Sequence, residues 1–345
     1  MATPSVTVII PVRNEAERLP ACIEAVAAQD LDPERVEVLI VDGGSQDATV
    51  DVARDLLQDR RWARAKLLHS APGDRASNLN VGLADATAPV VIRVDARSRI
   101  PMGYLQRCVA LLAARPNVAV VGGRQRAVVS GGRAAECGAA RALNNRWGMG
   151  LARYRSRTTS GPTDTVYLGA FRTAQLRSIG GWRPEFAVNE DFDVNRRMAA
   201  FGVIWFEASL TVDYVPRAAL GALIRQYWSF GTGKARYWRV SGDRPQGRQM
   251  LLLAAPLLGL TLFASTVVLL GAEAGAVLVG IGLLGLAGIE MIGADGPHGG
   301  FRAHVAAMAS LVCVGGAWLA GVAISTTRRA TEEPARSRRR VERAT

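Results

Sequence analysis

The chain has 345 residues, enough for one large domain or two smaller ones with a substantial core. Its formal net charge of +12 comes almost entirely from arginine, because lysine occurs only at positions 66 and 234. The four cysteines lack CxxC spacing and imply neither a disulfide framework nor a zinc site, and three histidines leave little room for histidine-based catalysis.

Short apolar strands alternate with helices in the first hundred residues. Strands are predicted at Val6–Ile10, Val36–Val41 and Val90–Val94, with helices at Leu19–Gln29 and Ala48–Leu57. This alternation is typical of a mostly parallel sheet with both faces covered. Ligands of such sheets bind at the carboxyl ends of the strands. We expect one crevice to be lined by the polar residues at those ends, which are Arg13, Asn14, Glu15, Asp42, Gly43 and Asp95.

The segment Asn189–Arg197 brings carboxylates and arginines together between two apolar segments. Glu190 or Asp191, at the start of a helix, can act as a general base on a sugar hydroxyl while nearby cations hold a phosphate. The same pattern is typical of an ordinary helix start, where acids interact favourably with the helix dipole. The segment taken alone leaves both interpretations open.

The composition changes after Arg248. Between Met250 and Ile292 only Glu273 and Glu290 are charged, and a second apolar run extends from residue 303 to 327. Segments near 250–271, 274–293 and 304–326 are long enough to cross a bilayer. The sequence therefore predicts a membrane protein with a soluble head.

The predicted topology contains a conflict. The first residues, Met1 to Val6, show no basic region and apolar helix before the first strand, so we expect the head in the cytoplasm. The seven arginines of the tail, Arg328–Arg343, should also stay there, as should the basic residues between Arg225 and Arg248. Three full crossings would put the tail outside. Either one segment is re-entrant or interfacial, with the Gly-rich middle segment the weakest span, or the charge rule is broken.

A series of short motifs occurs in a fixed order along residues 5–240. They are Thr7–Pro11 with Arg13-Asn14-Glu15, Val41–Ser45 with Asp47, Leu79–Gly82, Arg93–Ala96, Val121–Gly123, Thr163–Ala170, Asn189–Asp191 and Arg225–Trp228. In these motifs the chain resembles the family 2 glycosyltransferases of the GT-A fold. It is most similar to bacterial enzymes of the succinoglycan-biosynthesis type, which build lipid-linked polysaccharide repeats.

The resemblance implies an α/β fold: a GT-A (Rossmann-like, mostly parallel sheet) catalytic domain followed by C-terminal transmembrane helices. Residues 1–215 would form the cytoplasmic catalytic domain, and 216–248 an amphipathic interface helix and basic linker. Residues 249–327 would form about three transmembrane helices, and 328–345 the basic tail. The protein would be a multi-pass protein of the cell (plasma) membrane. The run 223–237, which mixes aromatic and basic residues, suits a helix in the membrane interface or a core-packing helix.

The resemblance also implies a nucleotide-sugar donor. Asp42 would accept a hydrogen bond from a uracil ring nitrogen, which favours a UDP-sugar, and Asn14 and Glu15 would contact the nucleoside or ribose. Arg75 would meet a phosphate, unless it is a surface arginine, and Asn80 would support the nucleotide loop. The predicted donor-binding set is Pro11, Arg13, Asn14, Glu15, Asp42, Gly43, Arg75, Asn80, Asp95 and Arg97.

Asp95 is the implied metal ligand, for Mg²⁺ or Mn²⁺ bridging two phosphates. The sequence departs here from the Asp-x-Asp motif and from the His at the third place of the succinoglycan-type group, because it has Asp95-Ala96-Arg97. An arginine cannot ligate a cation but can pair with phosphate. Either binding rests on Asp95 alone, or Arg97 takes over part of the metal's role.

For catalysis the resemblance implies Asp191 as the base that deprotonates the acceptor hydroxyl with inversion, and Glu190 as the residue that orients the acceptor or the loop. Arg196 or Arg197 would help to set the pKa of Asp191. The predicted acceptor side comprises Asp164, Thr165, Arg196, Gln226 and Trp228.

The run Gln226–Phe230 resembles the Gln-x-x-Arg-Trp motif of processive synthases, but Ser229-Phe230 replaces Arg-Trp. We therefore expect one sugar to be added per acceptor. The predicted activity is transfer of a sugar to a polyprenyl-linked glycan in exopolysaccharide or cell-envelope synthesis.

Two alternatives stay open. One is a polyprenyl-phosphate sugar synthase, which the segment Thr163–Ala170 disfavours. The other is a non-catalytic nucleotide-sugar-binding membrane subunit, which Arg97 favours and the pair Glu190-Asp191 disfavours. Membrane lipid is an expected partner and nucleic acid is not, since the head lacks a basic stripe with interleaved aromatics. The sequence does not indicate the oligomeric state.

Overall fold

A computed structural model describes residues 4–58, 61–71, 73–129, 131–146, 153–186, 188–217, 219–245, 247–293 and 300–341. The last residues of the predicted basic tail, 342–345, lie outside these ranges. The chain forms two compact units. The first unit comprises Met1–Val128 and Ala152–Pro216, and the second comprises Val129–Leu151 and Arg217–Thr345. The segment Val129–Leu151, which falls inside the predicted 1–215 domain, thus groups with the C-terminal helices.

The first unit is built on one sheet with the strand order β3-β2-β1-β4-β8-β6-β9-β5, and β7 pairs with β9. The strands β3, β2, β1 and β4 are parallel, as are β6 and β9, whereas the other pairs are antiparallel. The strands are β1 Val6–Val12, β2 Val36–Asp42, β3 Arg64–His69, β4 Val90–Arg93, β5 Ser98–Arg99, β6 Val118–Ala127, β7 Gly161–Thr163, β8 Tyr167–Arg172 and β9 Val203–Tyr214.

The helices of the first unit connect these strands, and those of the second unit are mostly longer. The first unit contains α1 Leu19–Ala27, α2 Thr49–Gln58, α3 Arg75–Asp85, α4 Tyr104–Ala114, α6 Arg153–Ser156, α7 Thr173–Ser178 and α8 Glu190–Met198. The second unit contains α5 Ala134–Asn144, α9 Leu220–Ser241, α10 Gly247–Leu270, α11 Ala272–Gly293 and α12 Gly300–Val341.

The core of the first unit lies on both faces of the sheet, as the apolar strands predict. In β1, Val8 and Ile10 belong to one buried cluster and Ile9, between them, to the other. This period of two is that of a strand whose two faces are both covered. Gly82 of α3 is needed at this packing contact, because a Cβ there would lie 2.5 Å from Cγ2 of Ile9.

The predicted end of the first helix differs from the structure by two residues. Helix α1 ends at Ala27 rather than at Gln29. The side-chain amide of Gln29 donates to the carbonyl of Pro101 at 3.0 Å and accepts from the backbone NH of Leu105 at 3.1 Å. Gln29 is therefore used to hold the start of α4 instead of extending α1.

The second unit contains three helices that are long and apolar enough to cross a membrane. These candidate spans are Gln249–Leu270, Ala272–Gly293 and Gly300–Thr326, in the places where the sequence predicts them. They differ in burial within the protein, with 0%, 11% and 33% of their apolar windows buried, respectively. The chain is thus a membrane-associated protein that carries a sheet-based unit.

Candidate active site

The loops after β1 and β2 are joined by hydrogen bonds at one edge of the sheet. Asn14, in the left-handed conformation with φ 55°, donates its backbone NH to Oγ of Ser45 at 2.9 Å. Its side-chain oxygen accepts from the NH of Gln46 at 2.8 Å. The structure therefore brings together the two strand-end loops that the sequence predicts to share a crevice.

Asp42 closes the turn that follows β2. Its carboxylate is 3% exposed and accepts from the backbone NH of Gly44 at 3.0 Å and of Ser45 at 3.2 Å. Because a carboxylate has about four acceptor positions, these bonds leave it able to accept another donor. Asp42 is fixed in direction by its own turn, which suits a residue that reads one edge of a ligand.

Glycine is required beside this turn. A Cβ at Gly43 would lie 2.9 Å from the carbonyl oxygen of Gly73, and Gly73 itself has φ +66°. Arg13 donates to the same carbonyl at 3.5 Å. Pro11 lies within β1, opposite Val41, and contributes to the sheet edge.

Glu15 and Arg97 form an ion pair at this edge. Nε of Arg97 lies 2.7 Å from Oε1 of Glu15, whose backbone NH donates to Oγ1 of Thr49 at 2.8 Å. The other carboxylate oxygen of Glu15 is buried and has no hydrogen-bond partner among the described residues. A buried acceptor without a donor is costly unless a ligand satisfies it.

A cluster of three carboxylates surrounds Arg93, the last residue of β4. The guanidinium, 2% exposed, donates through Nε and Nη2 to both oxygens of Asp95, at 2.7 and 3.0 Å. Its Nη1 contacts Glu190 at 3.2 Å and also Asp191. Arg75, at the start of α3, contacts Glu190 at 3.2 Å. We call Arg75, Arg93, Asp95, Glu190 and Asp191 the acid cluster.

The acid cluster separates the pKa values of its carboxyl groups. Burial raises the pKa of Asp191 to about 7, with Glu190 and Asp95 adding to the rise and Arg93 and Arg75 opposing it. Burial also acts to raise the pKa of Asp95, but Arg93 and Arg75 outweigh it and hold that pKa below its usual value. Asp191, with 38% of its side chain exposed, is thus the accessible acid of the cluster, and its pKa is raised whereas that of Asp95 is lowered.

Helix α8 positions Asp191. Its N-cap, Asn189, adopts the left-handed conformation with φ 72°, and three acids occupy the first turn, where the helix dipole favours them. Further along, Arg197 pairs with Asp193 at 2.7 Å and donates to the carbonyl of Gly181 at 2.6 Å. The sequence predicts that Arg196 or Arg197 helps to set the pKa of Asp191. In the structure Arg93 contacts Asp191. Arg197, one helical turn beyond Asp193, is aimed at the loop before α8 instead.

Asn80 also has a different role from the predicted one. Its side-chain amide donates to the carbonyl of Trp182 at 2.6 Å and accepts from the NH of Trp182 at 2.9 Å. It therefore holds the loop before α8 and not the nucleotide loop. Asn78 of α3 reaches the end of β2, because its amide donates to the carbonyl of Val41 at 3.4 Å.

The predicted acceptor side is only partly assembled by the first unit. Thr165 accepts from the amide of Asn195 on α8 at 3.1 Å, and Asp164 lies next to it, within 3.4 Å of the Thr163 hydroxyl. Arg196 is exposed on α8. Gln226 and Trp228 lie on α9 of the second unit, and their place on the acceptor side stays a prediction.

Sequence reasoning gave no role to Arg93 and Asn78. Arg93 stands in an otherwise apolar strand end, Val-Val-Ile-Arg-Val, and an arginine in a strand buried on both faces needs buried carboxylates as partners. That signal was present in the sequence. Asn78 has no comparable signal, because an asparagine in a helix is an ordinary surface residue.

Comparison with known proteins agrees with this geometry. The model of the family described as glycosyl transferase family 2 matches residues 7–176. The succinoglycan biosynthesis protein ExoA of Rhizobium meliloti (strain 1021) is 30% identical over 261 residues, 74% of this chain and 77% of that protein. The chain belongs to glycosyl transferase family 2. This family 2 glycosyltransferase is also 25% identical to the glycosyltransferase AglE of Haloferax volcanii, over 73% of this chain and 79% of AglE.

Among solved structures, a mannosyltransferase from Pyrobaculum calidifontis in complex with GDP-Man and Mn²⁺ is similar to the family 2 glycosyltransferase described here. The TM-score is 0.59 at 20% identity, with 91% of this chain and 86% of that chain covered. The likeness confirms the predicted GT-A fold. The acid cluster and the joined strand-end loops therefore belong to a glycosyltransferase.

Proposed function

We propose that the protein transfers one sugar from a nucleotide diphosphate sugar to a polyprenyl-linked glycan, with inversion, in exopolysaccharide or cell-envelope synthesis. The observation that carries the proposal is Asp191, an accessible carboxyl group with a pKa of about 7 inside the acid cluster. The similar succinoglycan protein supports the product class by its name. The apolar helices support a lipid-linked acceptor, because anchoring raises the local concentration of a substrate confined to the bilayer.

Asp191 would act as the general base. It accepts the proton of the acceptor hydroxyl while that oxygen attacks the anomeric carbon, and the bond from that carbon to the diphosphate oxygen breaks with its electron pair leaving on the diphosphate. A base works best when its pKa lies near the working pH, as that of Asp191 does. Glu190, buried between Arg75 and Arg93, would hold the start of α8 in place.

The strand-end loops would bind the donor. The unpartnered oxygen of Glu15 is an acceptor for a ribose hydroxyl, and the fixed carboxylate of Asp42 is an acceptor for a ring NH of the base. Uracil and guanine both carry such an NH. We propose a UDP-sugar, with a GDP-sugar as the competing donor because the similar mannosyltransferase structure contains GDP-Man.

The residues present do not fit a divalent cation at the predicted position. The same mannosyltransferase structure contains Mn²⁺. Here both oxygens of Asp95 accept from Arg93, and Arg97 is paired with Glu15. No group of three His, Cys, Asp or Glu side chains suited to a metal ion occurs among the described residues. We therefore propose that arginines, led by the half-exposed Arg75, stabilise the leaving diphosphate in place of a metal.

We propose addition of a single sugar because Ser229-Phe230 stands where the motif of processive synthases has Arg-Trp. The proposed location is the cell membrane, with the first unit in the cytoplasm, where nucleotide sugars are made. A bare polyprenyl phosphate acceptor and a non-catalytic binding role are the alternatives that the following experiment separates.

The test measures release of nucleoside diphosphate from UDP-, GDP- and dTDP-sugars by the purified full chain in detergent, with added membrane lipid extract. We expect turnover of one donor, and a loss of about 10²–10⁴-fold in Asp191→Asn with donor binding retained. Asp51→Asn, which changes an exposed acid on α2, is the matched control. Binding of a donor without turnover in either protein would support the non-catalytic role. Turnover with pure polyprenyl phosphate alone would identify the synthase.

A further inference from the structure

We propose that α12 does not cross the membrane but lies along its surface on the side of the first unit, so that only α10 and α11 cross. This inference rests on membrane association and is independent of the proposed reaction. The observations that support it are contacts between helices of the second unit. It also decides where the arginine-rich tail lies, because two crossings return the chain to its starting side.

The start of α12 is held by α5. His304 Nδ1 and Glu290 Oε2 are 2.6 Å apart, and Nε of Arg141 on α5 lies 2.6 Å from the other oxygen of Glu290. A Cβ at Gly138 of α5 would lie 2.5 Å from Cβ of Ala306. The packing of α5 on the first turns of α12 is therefore close, and Glu290, near the end of α11, pairs with side chains of both helices.

The same helix holds the end of α11. The amide of Asn145 donates to the carbonyl of Ile289 at 2.8 Å, and the backbone NH of Arg146 donates to the carbonyl of Gly293 at 3.1 Å. The end of α11 and the start of α12 are therefore both at α5. If α10 and α11 form a hairpin that enters the bilayer from one side, the chain returns to that side at the end of α11, next to α5.

Helix α5 must lie on the side of the first unit. Its segment leaves that unit after Val128 and returns to it at Ala152, and its 11 residues include Arg141 and Glu136. A helix of this length spans about 16 Å, roughly half of a bilayer core. Neither its length nor its charges allow it to reach the other side.

The later part of α12 is held by α9. A Cβ at Gly231 of α9 would lie 2.1 Å from the carbonyl oxygen of Trp318, and one at Gly321 would lie 2.4 Å from that of Trp228. Trp238 and Trp318 also pack edge to face, with 6.4 Å between ring centroids. Arg239 of α9 also donates to the carbonyl of Ser325, so contact extends over about two turns of α12.

Helix α9 is also restricted to the side of the first unit. It begins at Leu220, a few residues after that unit ends at Pro216. It is not among the candidate spans found in the described residues, and charged side chains inside a bilayer core are strongly disfavoured. Its cationic residues are Arg225, Lys234, Arg236 and Arg239.

These two restrictions conflict with a crossing by α12. The contacts with α5 centre on residue 305 and those with α9 on residue 321, and 16 residues of α-helix extend about 24 Å. If α12 were perpendicular to the membrane, the part of α9 that contacts α12 would lie about 24 Å deep in a bilayer core that is about 30 Å thick. If α12 lies parallel to the surface, both helices stay on one side.

The exposed face of α12 agrees with this position. Along the helix the exposed residues Phe301, Val305, Ala309, Val312 and Gly316 recur every three to four positions and are all apolar. Such a stripe belongs to one helix face. This face would contact lipid while the opposite face packs on α5 and α9. Helices that lie in an interface bury one face in this way.

The arrangement resolves the conflict between charge and span number. With two crossings, the tail that begins near Arg328 is on the same side as the first unit and as the cations of α9. All of these cations then face one leaflet, as expected for the cytoplasmic side. Helices α10 and α11, which are the least buried of the three candidate spans, are the ones surrounded by lipid.

Cysteine labelling tests the topology. Single variants Asp55→Cys on α2, Glu273→Cys at the start of α11 and Thr345→Cys at the chain end are treated with a membrane-impermeant maleimide, in spheroplasts and after lysis. We expect Glu273→Cys to react in spheroplasts, and Asp55→Cys and Thr345→Cys to react only after lysis. The wild-type chain gives the background, to which Cys313 of α12 contributes because it is only partly buried, whereas Cys22, Cys108 and Cys137 are buried.

A second pair of cysteine variants tests the position of α12 without relying on the tail. Arg302→Cys and Thr326→Cys lie at opposite ends of the apolar part of α12, and both positions are exposed. We expect both to behave like Asp55→Cys. Reaction of Thr326→Cys or Thr345→Cys in spheroplasts, together with Glu273→Cys, would show that α12 crosses and overturn the proposal. Reaction of Glu273→Cys only after lysis would overturn it as well, because the α10–α11 hairpin would not cross.

Discussion

Replacement of Arg93 by methionine should displace the pH dependence of the transferase to higher pH. Arg93 contacts all three carboxylates of the acid cluster and opposes the rise in the pKa of Asp191. A neighbouring opposite charge typically lowers a carboxyl pKa by about 1–3 units, and a pair about 4 Å apart at an effective dielectric constant of about 20 interacts by about 4 kcal/mol. Without Arg93, the pKa of Asp191 should rise from about 7 by about 1–3 units.

The sign of the effect on rate follows from the role of Asp191. A general base works when ionised, so activity rises with pH through its pKa. At pH 7 about half of the wild-type Asp191 is ionised, whereas between about a tenth and a thousandth would be ionised in Arg93→Met. The rate at pH 7 should therefore fall about five- to 500-fold and partly recover at alkaline pH.

The assay is the initial rate of nucleoside diphosphate release at saturating donor, over about two pH units on either side of the wild-type midpoint. Arg93→Lys keeps the positive charge but loses the paired hydrogen bonds to the two oxygens of Asp95, so the midpoint of its pH profile should shift less than that of Arg93→Met. Arg54→Met, which removes an exposed arginine of α2, should leave the profile unchanged. Because removal of one partner of a buried ion pair costs about 3–5 kcal/mol of stability, the melting temperature of each variant is measured in parallel. A midpoint that stays near 7 or moves to lower pH in folded Arg93→Met would refute Asp191 as the base controlled by Arg93.

Three other perturbations probe the remaining contacts. Arg97→Met should raise the KM for the donor about tenfold with little change in kcat, because it releases Glu15; a change in kcat alone would contradict this role. Gly82→Ala should lower the free energy of unfolding by about 1–3 kcal/mol, as measured by denaturant titration, whereas Gly285→Ala, with open space around it, should not. Chelation of divalent cations should change the rate by less than about twofold, and a large loss restored by Mn²⁺ would show that Asp95 binds a metal.

The sheet and the long helices could be predicted from the sequence because their patterns are local. Strands β1 and β2 are mostly apolar runs, and the segments of α10 and α11 have few charged residues, which are Arg248, Glu273 and Glu290. The pairing of β6 with β9 has no such pattern. It joins Val121 to Trp205, which are far apart in the chain, and its register changes after Gly122. A sequence does not contain a local signal for contacts of this kind.

The candidate site was predictable to the level of the backbone. Residues at the ends of parallel strands are expected to meet at one edge of the sheet. The hydrogen bond of Asn14 to Ser45 and the ion pair of Glu15 with Arg97 join the three loops that follow these strands. The pairing of arginines with acids was not predictable, because an arginine side chain can reach several carboxylates. Arg197, which is closer in sequence to Asp191, pairs with Asp193, whereas Arg93, almost a hundred residues away, contacts Asp191.

The net charge of the acid cluster favours uptake of a proton by Asp191 during the proposed reaction. Three carboxylates, Asp95, Glu190 and Asp191, face two guanidiniums, Arg75 and Arg93, which leaves one negative charge in excess when all groups are ionised. An excess charge in a buried site is relieved by protonation, and burial places that proton on Asp191 at a pKa of about 7. The proton that Asp191 takes from the acceptor cancels the same excess while negative charge builds up on the leaving diphosphate. Arg75, half exposed and held by Glu190 alone among the described contacts with acids, is then the cation best placed to turn towards that phosphate.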